Sequence, residues 1–276
     1  MWYTARKLAW TPPRPIRGLW QRCLLASTGR LLRKEGVERL VCYDIGARWG
    51  IWRPFRKLPM PILKVGFEPD PAEAKRLAES GAFDRVAPVA LSGKGGTRTL
   101  FVAREPACSS ICGPDMDVIR QHSGSEIFTT VRQVPLETIT LQQAIEKFDL
   151  PNPDFIKIDV EGAELEILTG AQDIIRDCSG ILFESSLAPL YLNGSLFGDV
   201  ATHLLRQGFS ITSFDPIGSH GGTHMVIDAS ACRNPKIENR RQYLLKTAAF
   251  ALLVENFEFA LNCLRRVASK REILIG

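Results

Sequence analysis

Residues Arg39 to Gly50 read RLVCYDIGARWG: a short apolar run, an acid near its end, then a turn punctuated by glycines. Similar apolar runs recur in PILKVGFEPDP from Pro61, RVAPVALSGKGG from Arg85, TRTLFVAR from Thr97, PDFIKIDVEG from Pro153, GILFESS from Gly180, FSITSFDP from Phe209 and HMVIDAS from His224. Helical stretches stand among them, such as PAEAKRLAES, AELEILTGAQDIIR and FGDVATHLLRQG. Strands joined by crossovers long enough to be helices pair in parallel. The alternation therefore predicts an α/β fold, a mainly parallel, doubly wound sheet with helices on both faces. In such sheets ligands bind beyond the carboxyl ends of the strands, near the switch in strand order. Function is expected in the loops after the apolar runs: Asp44 to Gly50, Glu68 to Pro71, Leu91 to Gly96, Asp159 to Glu164 and Glu184 to Ser186.

The flanks depart from this pattern. TPPRP at Thr11 to Pro15 prevents one continuous helix through this segment, and a helix is expected from Leu19 to Arg33. After Ile237, Leu244, Ala248, Leu252, Phe259, Leu261 and Leu264 mark helices that pack on the body or join two copies in a homo-oligomer. The expected organisation is a basic N-terminal arm at 1–35, an α/β domain at 36–232 and a C-terminal helical appendage at 233–276. Residues 105–135, with Ser109, Ser110, His122 and Ser123, lack clear periodicity and read as an irregular insertion over the binding edge.

Composition narrows the class. Of 276 residues, 45% are apolar and 24% charged, which fits a folded globular protein. The longest apolar run near the end, Ala248 to Val254, is far short of the roughly 20 residues of a membrane span, and the first residues carry charge and proline where a signal peptide is apolar. Seven cysteines without a CxxC pair point to a reducing, cytoplasmic setting; Cys108 and Cys112 lack a second ligand pair, and no metal is expected. Residues 1–35 hold eight Lys/Arg against Glu35 alone, residues 233–276 hold nine against four acids, and the middle holds 18 against 25. An acidic body is a poor nucleic-acid platform, whereas the basic ends suit peripheral contact with a membrane or a partner protein.

The turn at Asp44 to Gly50 has small residues that let a ligand approach the backbone and is expected to open a helix. Arg48 takes the place of a small residue, leaving less room for a pyrophosphate, and Pro54 interrupts the helix soon after its start. Glu68, 24 residues after Asp44, stands where an acid accepts both hydroxyls of a ribose. Asp70 and Glu73 also suit a helix start. A glycine turn with a ribose acid serves nicotinamide dinucleotides and S-adenosylmethionine alike.

DIGARWG, GFEPDP, ALSGKGG, FIKIDVEGAELEILTGA and ILFES, in that order, resemble the FkbM-type family of S-adenosylmethionine-dependent methyltransferases over Val41 to Ser186, with IKIDVEGAE the most specific element. The resemblance implies a Rossmann-like class I methyltransferase fold. It also implies S-adenosylmethionine as cofactor and methylation of a hydroxyl oxygen on a small-molecule or glycan acceptor. Asp44, Gly46, Ala47 and Gly50 would then line the methionine moiety, Glu68 with Pro69 the ribose, and Ala90, Leu91 and Ser92 the adenine. Alternation puts Lys157 and Asp159 on one side of their strand, with Asp159 at the tip, the first candidate for orienting or deprotonating the acceptor; Glu161 and Glu184 are the others. Glu161 and Glu164 also suit a helix start, Glu184 could pair with Lys157, and His122 and His224 are further conceivable bases. The competing readings are a nicotinamide-dependent oxidoreductase using the same turn and acid, and a noncatalytic S-adenosylmethionine-binding module.

Overall fold

All six residues of strand β1, Leu40–Ile45, are buried. A strand with both faces covered belongs in the middle of a sheet flanked by helices. The computed structural model describes residues 14–121, 125–220, 223–237, 240–269 and 272–273. It opens with helix α1, Arg14–Lys34, which leads into β1. β2 (Ile62–Phe67), α2 (Pro71–Glu79), β3 (Arg85–Ala87), β4 (Ala90–Leu91), β5 (Gly96–Ala103), α3 (Met116–Ile119), β6 (Thr130–Ile139) and α4 (Leu141–Phe148) come next. The second half comprises β7 (Phe155–Ile158), α5 (Glu164–Gly170), α6 (Gln172–Ile175), β8 (Gly180–Ser186), α7 (Phe197–Arg206), β9 (Phe209–His220), β10 (Thr223–Arg233), α8 (Arg241–Leu253) and α9 (Phe257–Arg265).

The central sheet has the order β3-β2-β1-β7-β8-β10-β9. β1 pairs in parallel with β2 and β7, and β7 with β8, while β10 runs antiparallel to both its neighbours. The chain steps outward from β1 to β3 on one side and returns to start again at β7, so the switch point lies between β1 and β7. One core lies between the sheet and α4 to α7. The other is built from α1, α8 and α9 against Leu40, Cys42, Phe155 and Leu182.

The sequence expectation of one extended sheet needs a correction. TRTLFVAR forms β5 of a separate three-stranded sheet, ordered β4-β6-β5, in which β5 and β6 are antiparallel. Pro88 explains the division: it separates β3 from β4 and cannot donate to a ladder, so the run Arg85 to Leu91 is shared between two sheets. The tract 105–135 is also less irregular than expected, because its last residues enter β6.

The two chain ends meet on one face. Leu24, Leu25, Leu31 and Leu32 of α1 are at most 3% exposed. Gln21 donates to the Leu252 carbonyl, and Arg241 pairs with Glu35. α8 is apolar nearly all round and correspondingly buried. It approaches β8 so closely that a Cβ on Gly180 would lie 2.1 Å from the Phe250 ring. α1 thus fills a core rather than hanging free as an arm; the residues before Arg14 lie outside the described ones.

Candidate active site

Local sequence rules place the first wall of the site. Gly46 adopts φ +78°, and a Cβ there would lie 1.8 Å from the main-chain oxygen of Asp159, so glycine is required for β1 and β7 to end side by side. The amides of Gly46 and Ala47 both donate to the Phe67 carbonyl, at 3.2 and 3.1 Å. They are spent on joining β1 to β2 and are not offered to a phosphate. No helix runs from this turn, where Pro54 would fall in its interior; a single 3₁₀ turn, Arg53–Lys57, forms instead with Pro54 in its first turn. Arg48 swings outward to pair with Asp70 at 3.0 Å. Gly46 and Ala47 thus offer no free amide to a pyrophosphate, and no α-helix N-terminus follows the turn, which speaks against the dinucleotide alternative.

Beyond the tips of β1, β2, β7 and β8 lies a cavity of about 590 Å³. Its wall includes Gly46, Glu68, Pro69, Ala90, Leu91, Asp159, Glu161 and Glu184. Glu68 is 4% exposed; one oxygen accepts from the Asp70 amide at 2.9 Å. Burial, eased by that bond, raises its pKa. Asp70 caps α2 through the amides of Ala72 and Glu73 and places Pro71 in the first turn, the helix-start role its position suggested.

Four expected cofactor contacts lie off this wall. Asp44 is fully buried; it accepts from the Trp52 amide at 2.8 Å and lies 3.3 Å from Lys157. Ala47 is packed in the core, and Gly50 closes a turn onto the Ala47 carbonyl at 2.7 Å. Ser92 is buried against Thr138 and holds the Gly95 amide. Asp44 acts on the cavity indirectly. Lys157 bridges it to Asp159, 3.1 Å away, and donates to the Gly46 carbonyl. Burial pushes Asp44 up to about 6 against the pull of this ammonium. Burial works against the charge on Lys157 too, but the two carboxylates outweigh it and hold its pKa above the ordinary value.

Asp159, Glu161 and Glu184 bring carboxylate oxygens within 4.8 Å of one another, a spacing compatible also with a cation. Glu161 stands at φ +58°, a strained conformation for a side-chain-bearing residue, and is succeeded by Gly162 at +98°. Glu164 stabilises that loop: its Oε1 accepts from the amides of Val160 and Gly162. Tyr191 donates to Glu161 Oε2 at 2.5 Å, and Ser110 donates to the Glu161 carbonyl at 2.6 Å. Glu184 does not pair with Lys157. Burial, reinforced by Asp159, pushes Glu161 up to about 8 and Glu184 up to about 9, and burial takes Glu164 to about 7. His224 is exposed at the start of β10, and His122 lies outside the described residues.

Tyr191 and the roof residues of β5 and β6 carried no sequence signal. Ser110 was visible only as one polar residue of an insertion without periodicity. Trp49, 77% exposed on the cavity rim, likewise carried no sequence signal.

The raised acids set a pH dependence. Their folded pKa values exceed the unfolded one near 4.5, so the folded chain holds more protons between about pH 4.5 and 9. Stability they supply is complete below about pH 4.5 and is lost as pH rises through 7, 8 and 9. The melting temperature at constant ionic strength is expected to fall from pH 5 to pH 9, and less steeply in Glu184→Gln. Parallel profiles for the two proteins would show that Glu184 ionises in the fold at no cost.

The methyltransferase FkbM domain family matches residues 44–211. The chain belongs to this family. Its fold is the Rossmann-like class I arrangement expected from the sequence, and the family's cofactor is S-adenosylmethionine. The hexuronic acid methyltransferase AglP of Haloferax volcanii is 28% identical over 157 residues, covering 56% of this chain and 59% of AglP. The crystal structure of an FkbM methyltransferase from Methylobacillus flagellatus overlaps with a TM-score of 0.39 at 14% identity, covering 70% of this chain and 44% of that one. The magnesium protoporphyrin IX methyltransferase ChlM of Synechocystis, solved with S-adenosylmethionine, gives 0.37 at 11%, covering 80% and 83%. The chain thus spans little more than half the length of its curated relative.

The residues fit the family's cofactor. Asp159, with the carboxyls of Glu161 and Glu184 beside it, would accommodate a sulfonium cation, Glu68 would face a ribose, and Ala90 and Leu91 would give an apolar wall for a base.

No helix among the described residues is long and apolar enough to cross a membrane.

Proposed function

We propose that the protein transfers a methyl group from S-adenosylmethionine to a hydroxyl oxygen of a sugar or related small molecule. The observation that carries this reading is the carboxylate cluster Asp159, Glu161 and Glu184 in the wall of the same cavity as Glu68. Methyl transfer is a displacement at carbon, so the chain's own residues have two tasks: to hold the acceptor oxygen in line and to take its proton. Lys157 fixes Asp159 for the first task. For the second, burial raises the proton affinities of Glu161 and Glu184 to near working pH, where a base is most effective. Sugar acceptors are supported by the hexuronic acid methyltransferase relative.

The test is a calorimetric titration with S-adenosylhomocysteine and with NAD, then methyl transfer to a panel of glycosides and glycuronides. Micromolar binding of S-adenosylhomocysteine without binding of NAD is expected; the reverse overturns the assignment. Glu68→Ala should weaken S-adenosylhomocysteine by roughly tenfold to a hundredfold, the loss of a hydrogen bond to a charged acceptor. An unchanged dissociation constant would reduce Glu68 to its bond with the Asp70 amide.

A further inference from the structure

The roof of the cavity carries a cation that the proposed methyl transfer does not use. β6 runs from Thr130 to Ile139, and its alternation turns Arg132, Val134 and Leu136 towards the cavity. On β5 the same side is presented by Leu100 and Val102, with Val102 opposite Arg132, Leu100 opposite Val134 and Arg98 opposite Leu136. The result is an apolar strip of four side chains with an arginine at each end. Arg98 is neutralised by Glu166 at 3.2 Å. The other arginine of the cavity wall, Arg48, is taken by Asp70. Arg132 alone of these has no hydrogen-bonding or ionic partner among the described residues.

Its place along the strand separates it from the base-binding wall. Ala90 and Leu91 pair with Thr138 and Ile139, at the opposite end of β6. Thr138 is six residue steps from Arg132 along the strand, roughly 20 Å at about 3.3 Å per residue. An apolar strip ending in an unpaired planar guanidinium suits a ligand with a hydrophobic face and an anionic group that accepts two parallel hydrogen bonds.

We infer that Arg132 binds an anionic group on the methyl acceptor, a carboxylate or a phosphate, and thereby selects acidic over neutral sugars. This rests on the proposed methyltransferase reading of the cavity. Arg132 is a specificity residue that takes no part in proton transfer, so its loss alters which acceptor binds rather than the chemistry.

The experiment measures binding of methyl β-D-glucuronide, methyl β-D-glucoside and glucose 1-phosphate to the full chain saturated with S-adenosylhomocysteine. At least one anionic probe is expected to bind roughly tenfold tighter than the glucoside. Preference for the glucuronide assigns a carboxylate, and preference for the sugar phosphate assigns a phosphate. Arg132→Gln should erase the preference, Arg132→Lys should restore part of it, and neither should change affinity for S-adenosylhomocysteine. A wild-type protein that binds S-adenosylhomocysteine but prefers no anionic probe overturns this inference alone, as does a preference that survives Arg132→Gln. Weakened S-adenosylhomocysteine in Arg132→Gln would also overturn it, giving the arginine to the cofactor's carboxylate. Failure of the wild type to bind S-adenosylhomocysteine would remove the methyltransferase reading itself.

Discussion

Gly46→Ala is expected to destabilise the chain by about 4 kcal/mol or more and to abolish binding of S-adenosylhomocysteine, one of the largest single-residue effects available in this fold. Two costs combine. The left-handed backbone at φ +78° penalises any Cβ by about 1 to 2 kcal/mol. The larger cost is steric: the added carbon would lie 1.8 Å from the Asp159 main-chain oxygen and 2.9 Å from its carbonyl carbon. Backbone cannot rotate away as a side chain can, so the tips of β1 and β7 must separate, and Lys157, which donates to the Gly46 carbonyl, loses its geometry with them. Gly50→Ala is the control. Its φ is +88° but no atom lies within 4 Å of the added carbon, so only the backbone cost of about 1 to 2 kcal/mol is expected. Denaturant unfolding of both variants, with titration of S-adenosylhomocysteine, gives the comparison. Equal stabilities for the two would mean that β1 and β7 are not in the contact described.

Asp159→Asn is expected to lower turnover by roughly 10² to 10⁴ while changing S-adenosylhomocysteine affinity far less. The amide keeps the size of the side chain and an oxygen for Lys157, and Asp44 remains to compensate the ammonium, so the fold should tolerate the change. What is lost is the negative charge that positions the acceptor and keeps Glu161 and Glu184 able to take its proton. The pH profile supplies an independent readout. A base must be unprotonated, so turnover should climb as pH rises towards about 8, where Glu161 loses its proton, and Glu161→Gln should flatten that climb. Turnover unchanged in Asp159→Asn but lost in Glu184→Gln would move the central role to Glu184.

Several of these residues were legible from the chain alone. The Gly46 turn, the acid ending GFE, the caps around Asp70 and the acid at the end of FIKID are local statements, because the spacing of apolar residues, glycines and prolines restricts the backbone within a few residues of itself. The doubly wound plan was legible for the same reason: runs of strand length separated by helix-length stretches admit few arrangements. Pro54 was legible as an interruption of the helix after the Gly46 turn, and a single 3₁₀ turn forms there; the division of a strand between two sheets at Pro88 was not legible.

Tertiary structure decided which of the candidate side chains share space. Asp44 had the appearance of a ligand contact but lies beneath the cavity, acting through Lys157, whereas Glu161 drew its partners from far along the chain, Ser110 in the insertion and Tyr191 after β8. Arg132 gained its meaning only when β6 folded over the sheet edge and the neighbouring arginines found acids that it did not. Sequence periodicity assigns a residue to a face, but the burial that shifts the pKa values of Glu161 and Glu184, and the charges that surround them, are supplied by segments whose proximity depends on long-range packing.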